Sequence, residues 1–230
     1  RSGSISAAIR DPEEMRILSL VLRGCDVFEL FSPERVGKVC SKYDLVAGPA
    51  LDLRTGWDLS CPRARARAIA LYKETSPELV VCSPPCTPFS RLQALNRHIH
   101  GEEFRIKHEK DLALATEHIK FCILIMKMQI RRGKYVIFEH PAGADSWDLP
   151  ELQAFLKIDG VDYRVADQCE YGLVTPGPLP DRVLMPAKKP TRFASNYWCI
   201  LEECSRRCKK NHVHQSLMGG RAAAVAEYPQ

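Results

Sequence analysis

Two short segments of this 230-residue chain carry side chains able to make and break covalent bonds. In Cys82-Ser-Pro-Pro-Cys-Thr-Pro-Phe-Ser90 a thiol, Cys86, follows two prolines. Proline has a fixed φ and no N–H, so the turn presenting Cys86 is stiff. A thiolate held there can attack an electron-poor carbon. One more small buried residue among ten cysteines is the plainer reading of Cys86 taken alone. Phe138-Glu-His-Pro141 places the Glu139 carboxyl among apolar neighbours, which makes it a candidate for a raised pKa and proton transfer. A surface carboxylate capping the next turn is the alternative there. A third stretch, CILEECSRRCKKNHVH from Cys199 to His214, is dense in soft ligands. Cys204, Cys208, His212 and His214 could hold a tetrahedral zinc. The spacing is not a standard zinc-finger spacing, and a charged loop with incidental thiols would look the same.

Segments of two periodicities alternate around these residues, which predicts α/β architecture. Cys25 to Phe31 reads as a buried strand ended by Ser32-Pro33, with a short helix over Glu34 to Tyr43. Leu45 to Leu53 gives a second strand and its exit. Pro62 to Glu74 is a helix with proline at its start. Leu79 to Cys82 is a short apolar run stopped by prolines, as in a parallel strand buried on both faces. Arg91 to Lys110 reads as a long loop or mobile helix, and Asp111 to Ile130 as the strongest helix of the chain. Tyr135 to Phe138 and Val161 to Ala166 are further strands, separated by a helix over Pro150 to Leu156. Beyond Gly172 prolines crowd together and regular structure thins out, up to a last helix over Gly220 to Tyr228.

Hydrophobic residues make up 45% and charged residues 27%, which excludes a wholly disordered or collagen-like chain. The formal charge is +5, and its excess sits in one place. Between Lys188 and His214 seven basic residues stand against Glu202 and Glu203, and the rest of the chain balances. A basic patch of this kind suits phosphate contacts, although a solvated lysine-rich loop has the same composition. Scattered cysteines without a secretory leader point to free thiols in a reducing, intracellular compartment, nuclear in a eukaryote. No membrane segment is expected. Residues 1–10 read as a linker or added tail.

The order of motifs resembles the cytosine C5 methyltransferase family over roughly residues 25–229. That family carries a Pro-Pro-Cys nucleophile and, later, a Glu at a strand end. The resemblance implies a Rossmann-like class I S-adenosylmethionine-dependent methyltransferase fold, mostly parallel, with helices on both faces. Cys86 would attack C6 of cytosine and Glu139 would contact N3. Glu-His-Pro stands where the family shows Glu-Asn-Val. Phe28-Glu-Leu-Phe-Ser32 is similar to the family's first motif, without its glycines. Cofactor contacts would come from Glu29, Leu30, Phe31, Ser32, Asp52, Asp58 and Pro84. Asp167-Gln-Cys-Glu-Tyr-Gly172 resembles the late Tyr-Gly motif, and Arg192 would supply the arginine near the target base. Leu217 to Pro229 resembles the closing motif.

The implied organisation is a catalytic domain over 11–187, a basic Cys/His-rich insertion over 188–216, and a closing helix over 217–230. That insertion is too short for an ordinary recognition domain. A zinc folding it would rigidify the stretch carrying the excess charge. Ser90, Arg91, Lys188, Lys189, Arg206 and Arg207 are the expected nucleic-acid contacts, with DNA as partner and a protein partner supplying recognition. An RNA substrate, a catalytically inactive nucleic-acid-binding or regulatory relative, and a thiol hydrolase using a histidine beside Cys86 remain alternatives.

Overall fold

Short apolar runs form the strands, and segments opened by proline or a turn residue form the helices that cover them. The computed structural model describes residues 12–177 and 183–217. Along the chain come α1 (Pro12–Arg23), β1 (Val27–Leu30), α2 (Gly37–Cys40), β2 (Ala47–Leu51), α3 (Pro62–Thr75), β3 (Leu79–Cys82) and α4 (Leu92–Arg131). Then follow β4 (Tyr135–Pro141), α5 (Pro150–Leu156), β5 (Asp162–Asp167), β6 (Val174–Pro176), β7 (Leu184–Pro186), β8 (Pro190–Ser195) and α6 (Trp198–Glu203). Six strands form one sheet in the order β2-β1-β3-β4-β8-β5, and β6 pairs with β7 apart from it.

The α/β class is as the sequence predicts, but the sheet is mixed. β1 to β4 pair in parallel, while β8 runs antiparallel to both β4 and β5. β8 is the strand hidden among the late prolines. Pro190 occupies its first position, where a missing N–H costs least, and Thr191 to Ser195 complete the ladder. Residues 188–216 therefore include a central strand of the sheet rather than only an insertion. The closing helix expected over 217–230 lies outside the described residues beyond Leu217.

The main core lies between one face of the sheet, with Phe28, Leu30, Val80, Cys82, Val136 and Phe138, and buried residues of α3, α4 and α5. Burying each large apolar side chain contributes about 2 kcal/mol. Of the two readings of Arg91 to Lys110, a long loop or a helix, the structure shows a helix from Leu92 that continues into the expected helix. The two pieces meet at Gly101, whose φ of 70° and ψ of −156° break the helical run. His108, beyond this kink, is buried with Nε2 2.9 Å from the Pro88 carbonyl oxygen, which ties α4 to the turn after Cys86.

Gly48 shows how tightly β1 and β2 meet. The register shifts between Val27 and Glu29, and a methyl at Gly48 would be driven into the Val27 carbonyl oxygen and Cys25 Sγ. The blocking group is backbone, so little can yield. Gly48→Ala is expected to cost about 3 kcal/mol, read as a lowered urea midpoint with an unchanged slope. An unaltered midpoint would refute this packing. Among the described residues, no helix is long and apolar enough to cross a membrane.

Candidate functional site

Parallel strands end on one edge of the sheet, so residues just past their carboxyl ends gather there. β1 leads to Phe31 and Ser32, β2 to Asp52, β3 to Pro84-Pro85-Cys86, and Glu139 lies near the end of β4. Cys86 is half-buried and begins a short 3-10 turn over Thr87–Phe89. Burial pushes its thiol pKa up, the Glu139 carboxylate pushes it further, and the Lys189 ammonium opposes both. Lys189 feels the same neighbours. Burial lowers its pKa, Glu139 and Cys86 raise it, and Arg35 lowers it. Glu139 and Lys189 thus stand within electrostatic reach of Cys86, and Arg35 within reach of Lys189. Lys189 has a φ of 25°, uncommon for a residue with a side chain. The Gln168 amide donates to the Lys188 carbonyl oxygen at 2.9 Å, which fixes this segment to the turn after β5.

Arg192 is not part of that group. Its partner across the sheet is His140, so both leave the sheet on the face opposite Glu139. The guanidinium lies 4.6 Å from the Trp147 ring centroid and 4.7 Å from that of Tyr163, a cation–π sandwich on the helical side. The alternation of β8 therefore places Arg192 on the face opposite Glu139, whereas Lys189 stands near Cys86 and Glu139. His140 is 1% exposed, with Nδ1 2.6 Å from Ser146 Oγ and its ring among Phe89, Phe138 and Trp147. Burial pushes its pKa down to about 4, while the Pro84 and Pro85 carbonyls act in the opposite sense. This neutral ring props the Pro-Pro turn from below, so it is not the exposed base that a thiol hydrolase needs.

The first motif keeps its turn without glycines. Phe31 and Glu34 adopt φ of 56° and 40°, the region where glycine is at ease. The buried Glu29 carboxylate holds this turn: it accepts from Ser32 Oγ at 2.7 Å, Arg35 N at 3.1 Å and Gly37 N at 2.8 Å. Glu29 and Ser32 are thus engaged with each other rather than presented to a ligand. Leu30 is core and Pro84 is buried. Asp52 caps its own turn by accepting from Arg54 N at 2.9 Å, and Asp58 accepts from Ser60 N and Oγ, which lowers its pKa. His118 on α4 is a group the sequence reading lacks. Its ring lies 4.8 Å from that of Phe31, and both buried ring nitrogens have no hydrogen-bond partner among the described residues. A cavity of about 390 Å³ opens beside the β2 exit, lined in part by Glu34, Leu51, Thr55, Gly56 and Trp57.

The Cys/His group is real but differs by one member. Cys169, Cys208, His212 and His214 bring their ligand atoms within 4.8 Å of one another, so they could hold a metal ion. Cys204 does not join them. It ends α6, where burial pushes its thiol up to about 11. Cys169 lies in the Asp167 to Gly172 stretch, far away in sequence. The same region tempers the basic patch. Arg207 Nε is 3.1 Å from the buried Asp167 carboxylate, and Arg206 pairs with Glu203 at 3.5 Å and stacks on Tyr171. Ser90 Oγ accepts from Leu92 N at 3.4 Å, and Arg91 pairs with Asp145 at 3.6 Å on the surface. Comparison with protein-family models finds no match to this chain, and comparison with curated proteins finds none.

Proposed function

We propose that the chain is a class I methyltransferase that transfers a methyl group to C5 of cytosine in DNA, with Cys86 as nucleophile. The observation that carries this reading is the meeting of Cys86, Glu139 and Lys189 at the carboxyl edge of the parallel strands. A nucleoside-bearing cofactor suits the neighbouring turn. His118 offers buried ring nitrogens without a partner beside Phe31, and Asp52 and Asp58 offer carboxylates to hydroxyls and amines. S-adenosylmethionine, when bound, supplies an electrophilic methyl group and takes away the electron pair of its carbon–sulfur bond.

The residues then act in sequence. Lys189 favours the thiolate of Cys86, whose proton passes to solvent water before attack. The thiolate bonds to C6, and Glu139 holds a proton toward N3, so the ring electrons collect at C5. After C5 is methylated it gives up its proton to a base, and the electrons return to expel Cys86 and restore the aromatic ring. The target base must leave the helix to reach Cys86. The zinc expectation attaches to the Cys/His group, whose four protein ligands leave no position for a substrate.

Incubation with S-adenosylmethionine and a 5-fluorocytosine duplex tests this reading, because fluorine blocks the last elimination and leaves Cys86 bonded to the base. A DNA adduct is the expected result. An adduct with RNA alone moves the substrate class, and no adduct with either overturns the reaction. Glu139→Gln keeps the shape but loses the titrating proton, so methyl transfer should fall about 10²- to 10⁴-fold. A change below tenfold in single-turnover assays would count against its role. The engagement of Glu29 with Ser32, which leaves neither presented to a ligand, favours the non-catalytic reading, which calorimetry showing no heat with S-adenosylmethionine would support.

A further inference from the structure

We propose that Cys169, Cys208, His212 and His214 form a structural zinc site that staples the end of the chain to the turn after β5. Zinc bonded at ~2.3 Å to sulfur and ~2.0 Å to nitrogen has tetrahedral edges of roughly 3.3–3.8 Å. Three edges here are of that size, and the edge between the two imidazole nitrogens is shorter. Cys208 Sγ lies 3.6 Å from His212 Nε2 and 3.3 Å from His214 Nε2. His214 Nε2 is 3.4 Å from Cys169 Sγ and 3.0 Å from His212 Nε2. One ring nitrogen, with one proton or one lone pair, cannot serve three such neighbours at once. A cation at the centre satisfies them all.

The surroundings are those of a built site. Asn211 Oδ1 is 2.9 Å from His212 Nδ1, so that nitrogen can donate outward while Nε2 keeps its lone pair inward. Lys210 N donates to Cys208 Sγ at 3.3 Å, a bond that favours the thiolate. The Cys208 amide donates to buried Asp167 Oδ2 at 2.9 Å, which also receives Arg207 Nε at 3.1 Å. Two sulfurs and two imidazoles select zinc over magnesium or calcium, which want oxygen. Four protein ligands close the tetrahedron, so the ion serves structure rather than chemistry.

The position explains what is held. Residues 204–217 contain no helix or strand, and the group ties them to Cys169. Gln168, one residue before Cys169, donates its amide to Lys188. The staple therefore fixes the strap that carries Lys189 toward Cys86, and it constrains a loop that would otherwise be free to open.

The full chain, expressed with added zinc and purified without chelator, should contain zinc at a one-to-one ratio by elemental analysis. Replacement by cobalt should give the intense visible bands of a tetrahedral ion and thiolate charge transfer in the near ultraviolet. Cys169→Ser should weaken zinc binding by more than the about 10–100-fold that loss of an outer partner costs, whereas Cys204→Ser should keep full occupancy. If Cys169→Ser does not fold, the cobalt spectrum of the unaltered chain decides. Zinc missing from that chain, an octahedral cobalt spectrum, or loss of zinc on Cys204→Ser with retention on Cys169→Ser would each overturn the proposal. None of these readouts depends on methyl transfer.

Discussion

Cys86→Ala is expected to abolish the proposed methyl transfer and covalent trapping, while the fold and thermal midpoint change little. The thiol lies at the sheet edge and is half-buried, so trimming one sulfur there leaves the core between the sheet and α4 intact. The chemistry, in contrast, has no other route to an electron-rich C5, and the loss should be about 10⁴-fold or more. The pH dependence carries a sign. Burial and Glu139 hold the Cys86 pKa above its ordinary value, so the active thiolate is scarce at neutral pH. The single-turnover rate should climb with pH through and beyond the ordinary thiol range. Lys189→Met removes the one opposing cation among the named causes and should move that climb to still higher pH. Radiolabelled methyl transfer that survives Cys86→Ala would end the proposed mechanism.

A second large effect concerns stability. In the unfolded chain an imidazole takes a proton near pH 6.5, whereas burial holds His140 down to about 4 in the fold. Stability from this residue is complete above pH 6.5 and is lost as pH falls toward 4. The loss amounts to about 3 kcal/mol. The groups around the ring are Ser146 at Nδ1, the aromatic rings of Phe89, Phe138 and Trp147, and the Arg192 cation across the sheet, none of which offers a negative charge. His140→Asn removes the titration and should flatten the curve of unfolding free energy between pH 7 and about 4.5. Urea melts that fall equally in both proteins would refute the assignment.

Cys86, Glu139 and the strands leading to them are legible in the sequence because their signals are local. Pro-Pro after Leu79 to Cys82 marks a strand end wherever the strand lies in the sheet. Arg192 and Cys169 are not legible for the opposite reason. Which face Arg192 takes depends on β8 pairing with His140, and five closely spaced prolines hide that strand. Cys169 meets His214 45 positions later, a distance at which no ligand spacing can be read. Glu29 is a subtler case. The missing glycines suggest a damaged first turn, yet a buried carboxylate with three donors supports the same turn at φ values that glycine would take freely.

The reversed strand also sets a timetable for folding. β1 to β4 lie side by side in the order β2-β1-β3-β4 and can assemble as they leave the ribosome. β5 cannot, because among the described residues its only sheet neighbour is β8. Ile137 pairs with Ser195, 58 positions on, so the far edge of β4 waits through the synthesis of α5, β5, β6 and β7. Pairings of such long range are slow to form and leave an open edge meanwhile. A nascent chain cut before Pro190 would present that edge of β4 to any neighbouring strand, so the last quarter of the sequence acts as the clasp of the whole sheet.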